Sequence, residues 1–248
     1  MNRWKLAIDN GSGDIVQLNG ENGIMFVDVT GMGAEFDESY GKISDGYFLT
    51  TQREGAQQTI AGTLVFKGAD CKEKYKAFAD YVLNADKLVF LYKPDGITEY
   101  RRDISVKFLS RGGANWNLLQ VASSFVCLTP WYTVETLTGT GSISVSVGGQ
   151  IGTSVKVRTT SALTNPVLTM TDSDGEFQRL SLTTTKASGT VFEYSNHYYD
   201  SHIYIGTADG IQYADLSTAI FGHSRKAFTL ALSGASMTIE VKRWWRTI

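Results

Sequence analysis

Apolar positions recur every second residue along most of this chain and with helical spacing in a single stretch. Residues 4–8 alternate and predict a strand, closed by the turn-rich Asp9-Asn10-Gly11-Ser12-Gly13. Residues 14–18 and 24–29 predict a hairpin across Asn19-Gly20-Glu21-Asn22-Gly23. A packed strand is predicted over 59–66, and two more over 87–92 and 100–108, joined around Pro94-Asp95-Gly96. In the last of these, Ile104, Val106 and Phe108 share one face, and Arg101, Asp103, Ser105 and Lys107 the other. Residues 117–128 complete the first half. Beyond them, 142–147 and 153–158 alternate strictly about Gly148-Gly149-Gln150, and short strands are predicted at 167–170, 177–182, 190–194, 202–205, 227–232 and 237–241. Turn signals every ~8–12 residues without a helical period predict an antiparallel β-sandwich.

The helical stretch lies at about residues 70–84. Asp70 suits the N-cap and Glu73 the first turn. Tyr75, Phe78, Ala79, Val82 and Leu83 fall on one face, with Lys72, Lys74, Lys76 and Asp80 on the other. Asn84 has the left-handed tolerance to stop it. One apolar face requires a sheet to lie on. Residues 31–58 keep neither period and read as a mobile loop or an extended arm with work to do elsewhere. The stretch Phe125-Val126-Cys127-Leu128-Thr129-Pro130-Trp131-Tyr132 is a seam, because Pro130 removes a ladder donor and ends the strand before it. The pattern therefore predicts a mainly β protein of two domains. Residues 1–130 form an N-terminal β-sandwich-like domain with one α-helix, and residues 131–248 an antiparallel β-sandwich. Trp131 and Tyr132 are expected to pack across the joint.

The 248 residues are 42% hydrophobic and 19% charged, with a net charge of −2. That is a globular composition without the basic balance of a sequence-specific nucleic-acid or anionic-membrane binder. No run approaches the ~18 apolar residues of a membrane span, and the first residues lack a signal-peptide core, so a soluble protein made in a cytoplasm is expected. Cys71 and Cys127 have no metal or redox spacing and read as two buried thiols. Phosphate-loop, nucleophile-elbow and zinc-protease motifs do not occur, so no catalytic residue, cofactor or metal ligand is nominated and the chain reads as no enzyme. On one strand, His197 and His202 would face opposite sides, so a shared zinc needs a turn between them. Asp172-Ser173-Asp174-Gly175-Glu176 looks superficially like a calcium loop and reads better as a hairpin turn. A carboxylate pair for glycoside hydrolysis is a tertiary property that no residues here point to. The alternation Met237, Ile239, Val241 places Arg243 inward and breaks at Trp244-Trp245, so either one tryptophan is exposed or a bulge intervenes. An exposed tryptophan there, or the tyrosines Tyr198, Tyr199, Tyr204 and Tyr213, would suit a partner protein or a saccharide. Packing under the sheet edge is the alternative.

The order of these segments resembles a known family. Gly46-Tyr47 to Arg53 is followed by Thr59-Ile60-Ala61-Gly62, the helix with Tyr75 and Phe78, and Lys87-Leu88-Val89-Phe90-Leu91-Tyr92. Then come the seam, Thr164-Asn165-Pro166-Val167-Leu168, and Ala227-Phe228-Thr229-Leu230. Together, over ~230 residues, they resemble the distal tail proteins of long-tailed (siphovirus) bacteriophages or prophages. The turn Ser233-Gly234-Ala235-Ser236 departs from the family's Gly-Asn-Asn-like pattern. The resemblance implies a non-catalytic structural protein of the virion tail tip, assembled in the host cytoplasm. Its N-terminal domain would close a homohexameric ring between the tail tube protein and the tail-associated hub or lysin protein. Its C-terminal domain would be a galectin-like sandwich carrying receptor-binding proteins, and in some members contacting cell-wall saccharide. Ring interfaces are expected at Tyr40, Tyr47, Phe48 and Arg53, on the arm. The partner or saccharide surface is expected at Tyr198, Tyr199, Tyr213, Trp244 and Trp245. A second reading makes the chain a saccharide-binding β-sandwich module at the host surface.

Overall fold

The computed structural model describes residues 6–33, 57–197, 200–215, 224–246 and 248 in full, and residues 5, 36–44 and 47–55 by their backbone. The described residues are mainly β, paired antiparallel, with one α-helix and a short 3-10 turn. The chain divides into two compact units, Met1–Trp131 with Arg246–Ile248, and Tyr132–Trp245.

The first unit holds β1 (Lys5–Asp9), β2 (Ile15–Gln17), β3 (Ile24–Thr30), β4 (Phe36–Ser44), β5 (Tyr47–Gly55) and β6 (Thr59–Lys67). The helix α1 (Cys71–Leu83) follows, then β7 (Leu88–Lys93), β8 (Tyr100–Ala114) and β9 (Leu118–Cys127). Its ladder runs β2-β1-β7-β8-β9-β6-β3. The turn after β2 carries the hydrogen bonding on: Leu18 N–H donates to Leu6 O at 2.8 Å and Phe26 N–H to Leu18 O at 2.9 Å. The seven strands thus form a closed cycle. Inside it, Phe26 meets Phe90 and Phe125 edge-on, with centroids 6.2 and 6.1 Å apart, the offset geometry that aromatic quadrupoles favour.

The helix packs on β6, where Phe66 meets Tyr75 and Phe78 at 5.6 and 5.7 Å. Phe78 and Val82 are buried as predicted, and Cys71 joins them. Leu83 is 63% exposed, because it falls on the last turn beyond the reach of the sheet. The predicted caps are not used. Asp70 makes no side-chain cap bond and pairs with Lys74 at 2.9 Å instead. Asn84 has φ −96° and accepts no left-handed geometry.

The second unit comprises β10 (Trp131–Val145, of which Trp131 belongs to the first unit), β11 (Gly152–Thr159), β12 (Leu163–Thr164), β13 (Val167–Asp172) and β14 (Phe177–Ser181). It continues with β15 (Thr185–Lys186), β16 (Phe192–His197), β17 (Asp200–Ile205), β18 (Ala208–Asp209), the 3-10 turn Ile211–Tyr213 and β19 (Phe228–Trp245). The long strand β19 organises the unit. Its first part, Phe228–Leu232, pairs with β13, and its last part, Thr238–Trp244, with β11. Between them Gly234 sits at φ 65°, where a side chain is strained. Buried positions therefore change phase, from Phe228, Leu230 and Leu232 to Ala235, Met237, Ile239 and Val241. The structure keeps one continuous strand that changes phase, where the sequence predicts a turn between two. The core gathers these residues with Val155, Val157, Tyr194, Leu168 and Ile203.

Candidate functional site and interaction surfaces

Residues 31–58, aperiodic in sequence, contain a hairpin of β4 and β5 paired to each other. Register shifts between Ser39 and Tyr40 and between Lys42 and Ser44 interrupt the alternation, which is why no period shows. Gly31 stands at φ 78°, and a Cβ there would lie 1.9 Å from Thr59 O. The buried Gln58 donates from Nε2 to Gly33 O at 2.6 Å and ties down the neck. The candidate ring residues Tyr40, Tyr47, Phe48 and Arg53 are on these strands, and their side chains lie outside the described residues.

At the seam, β9 ends at Cys127 and β10 begins at Trp131, directly after Pro130. Leu128 N–H donates to Asp103 O, Asp103 N–H to Thr129 Oγ1, and the buried Arg102 from Nε to Thr129 O at 2.8 Å. Trp131 is fully buried in the first unit, against Phe90 and Tyr92, with the Arg102 guanidinium 5.4 Å from its ring. Tyr132 belongs to the second unit, where it packs on Trp244 at 5.0 Å. Cys71 and Cys127 are buried and not disulfide-linked.

Trp244 is corrected as a surface residue. It is 1% exposed, and its Nε1 donates to Ser154 Oγ at 2.7 Å. The β11–β19 register runs unbroken to the Gly152–Trp244 pair, so alternation carries through and Tyr132 covers the tryptophan. Trp245 is half-buried. Arg243 is held by Glu135 at 2.5 Å and by Ser146, so it points to a polar rim and not into the core. Tyr213 and Tyr204 are 38% and 42% exposed. Tyr198 and Tyr199 lie outside the described residues.

Ser154 also lies 2.7 Å from His197 Nδ1, and His197 Nε2 lies 3.2 Å from Glu240 Oε1. Serine, imidazole and carboxylate in line evoke nucleophilic catalysis, but the burial rules this use out: Ser154 and His197 are both 0% exposed. The relay is a packing device. Burial holds the His197 pKa below the ordinary imidazole range, so the neutral ring accepts from Ser154 at Nδ1 and presents Nε2–H to Glu240. At 3.2 Å that contact is an ionic neighbour more than a hydrogen bond, since His197 Nε2 has no hydrogen-bond partner. It is close enough, with Lys242 and Lys156 helping, to bring the Glu240 pKa down to about 2.

The two histidines lie on paired strands: Ser195 pairs with His202 and His197 with Asp200, which puts both rings on one face. Each is already occupied: His202 meets Glu193 at 2.8 Å and Asp200 at 3.0 Å. Among the described residues no group of His, Cys, Asp and Glu is arranged to hold a metal. The Asp172–Glu176 segment is a hairpin turn. Asp172 Oδ1 accepts from the backbone of Asp174 and Glu176, and the Lys226 ammonium sits at Asp172 and Asp174. None of the described helices is long and apolar enough to cross a membrane.

Both units are built of antiparallel strands, and their buried polar groups bond within each unit. The family model "Distal tail protein, N-terminal domain" matches residues 5–128. The chain belongs to the distal tail protein family, structural proteins of the bacteriophage tail. Two structures of the phage p2 baseplate in its activated conformation, with strontium and with calcium, are similar at a TM-score of 0.73 and 13% identity, over 99% of both chains. The crystal structure of the Dit protein of phage SPP1, described as a paradigm of the hub adsorption apparatus in phages infecting Gram-positive hosts, is similar at a TM-score of 0.66 and 13% identity. That match covers 96% of this chain and 98% of the other. At such identity the likeness is one of fold. No curated protein sequence matches the chain.

Proposed function

We propose that this protein is the hexameric hub of a phage tail tip. Residues 1–130 close the ring and join the tail tube above to the tail-associated hub protein below. Residues 131–248 form a galectin-like sandwich on the outside that carries receptor-binding proteins. The observation that carries this reading is the family match over residues 5–128, all of which fall in the first compact unit. Ring subunits need head-to-tail contacts closed by symmetry. A hairpin such as β4–β5, paired to itself and pinned at its neck by Gln58, has the reach to cross to a neighbour. A net charge of −2 suits a conduit that DNA passes without sticking. Light scattering is expected to give the mass of six subunits; a strict monomer at micromolar concentration would overturn the proposal. Deleting residues 32–57 is expected to leave folded monomer, and a retained hexamer would refute the role given to the hairpin.

A further inference from the structure

Asparagine followed by glycine is where a chain can react with itself, because a residue without a Cβ lets its backbone nitrogen approach the preceding side chain. The first unit carries three such pairs, Asn10-Gly11, Asn19-Gly20 and Asn22-Gly23. In all three the asparagine Oδ1 accepts a backbone N–H two residues on, from Ser12 at 3.0 Å, Glu21 at 3.1 Å and Ile24 at 3.2 Å. Each carboxamide is thereby polarised at the oxygen where charge builds when a nucleophile adds to its carbon. What differs is the partner of the glycine nitrogen. Gly20 N–H donates to Ile24 O at 2.8 Å and Gly23 N–H to Gly20 O at 3.2 Å, both neutral carbonyls. Gly11 N–H donates to the Asp9 carboxylate, with Oδ1 at 2.7 Å. A carboxylate draws on that proton, enriches the nitrogen in electron density and is a base able to take the proton.

The turn from Asp9 to Gly13, between β1 and β2, is open to water and held in one arrangement. Residues 11–14 are exposed, whereas Asn19 is buried. Tyr81 of α1 grips the turn from the side. Its hydroxyl accepts the Asn10 N–H at 2.9 Å and donates to Asp14 O at 2.5 Å, and its carbonyl takes Asn10 Nδ2–H at 3.4 Å. With Ser12 on its oxygen and Tyr81 on its nitrogen, the Asn10 carboxamide is oriented at both ends. Such positioning is the part of catalysis that a folded chain supplies and an unfolded one lacks.

We propose that Asn10 is a site of self-modification in the folded protein, converted to aspartate and isoaspartate with Asp9 as the base. Gly11 N bonds to Asn10 Cγ while Asp9 takes the Gly11 proton. That proton passes to Asn10 Nδ2, which leaves as ammonia, and a five-membered succinimide remains. A water molecule then opens the ring at either carbonyl, giving aspartate at one and isoaspartate at the other. Either product puts a new carboxylate between Asp9 and Asp14, and isoaspartate routes the backbone through an extra methylene, lengthening the turn that Tyr81 grips. The reaction needs one chain only and is independent of ring closure. The full chain, kept warm at neutral pH for several weeks, is digested and read by peptide mapping, where conversion adds about 1 Da and chromatography separates isoaspartate from aspartate. Asn10 is expected to convert about tenfold or more faster than Asn19 or Asn22, within reach of a positioned general base. Asp9→Ser, which keeps a neutral acceptor for Gly11 N–H, should bring Asn10 down to the rate of Asn22. In guanidinium chloride the turns are lost and all three should convert at like rates. The proposal is overturned if Asn10 converts no faster than Asn22 in the folded chain, or if Asp9→Ser keeps the wild-type rate. The same ranking in guanidinium chloride would overturn it too, by assigning the difference to sequence alone.

Discussion

Replacing His197 by glutamine removes the one buried imidazole of the second unit's relay while keeping an amide to meet Ser154. In the wild type the ring is fully buried, and burial holds its pKa below the ordinary 6.5. Protonating it would put a proton on Nδ1, which now accepts from Ser154 Oγ, and so break the link from Trp244 through Ser154. The unfolded chain takes up that proton near pH 6.5, whereas the folded chain resists. The unfolded state therefore binds more protons in the window from pH 6.5 down to the depressed folded value, and stability falls as pH falls through it. One proton limits the slope to about 1.4 kcal/mol per pH unit. Glu240 adds a second, separate window: its pKa is lowered from 4.5 to about 2, so its contribution is complete above 4.5 and lost below. Urea unfolding at fixed protein concentration, followed by tryptophan fluorescence from pH 8 to 5, measures the first window. The wild-type curve should bend downward below pH 6.5, and the His197→Gln curve should be flatter there. Parallel curves over that range would refute the assignment of a neutral buried ring.

Trp131→Ala should cost about 3–5 kcal/mol, the usual range for emptying a fully buried tryptophan site, and should leave Arg102 without its aromatic cover; chemical denaturation with near-UV circular dichroism measures it, and a loss under about 1 kcal/mol would contradict the packing. Gly149→Ala should destabilise by at least about 1–3 kcal/mol, because Gly149 has φ 85° and the new Cβ would meet Trp244 O at 2.2 Å. An unchanged melting temperature would show that this loop relaxes freely.

What could be read from the sequence was whatever depends on near neighbours. The helix face through Phe78 and Val82, the alternation of Met237, Ile239 and Val241, and the Asp174-Gly175 turn are each set within a few residues. The long strands do not show in sequence as single runs, because a left-handed glycine inside a strand looks like a turn between two. Gly234 at φ 65° lies within β19, and Gly141 at φ 80° within β10. The two tryptophans could be placed on opposite faces but not ranked for burial, since Tyr132 covers Trp244 from more than a hundred positions away in sequence. The relay through Ser154, His197 and Glu240 was still less legible. Its members are far apart in the chain, and only the registers of two ladders bring them together. Strict alternation had already placed Ser154, Lys156 and Arg158 on one side of β11; what was missing was their opposite numbers.

The double engagement of β19 has a consequence for how the second unit is made. Its two parts close separate ladders, on β13 and on β11, and β10 also lies beside it. All three of those strands leave the ribosome well before it does, and until it arrives they share no partner. Native pairing there is long-range and correspondingly slow to form. During synthesis the unit therefore passes through a period in which several strand edges wait open, each a template for wrong pairing. Nascent-chain capture just before and just after β19 emerges would show protease resistance of this unit switching on in a single step.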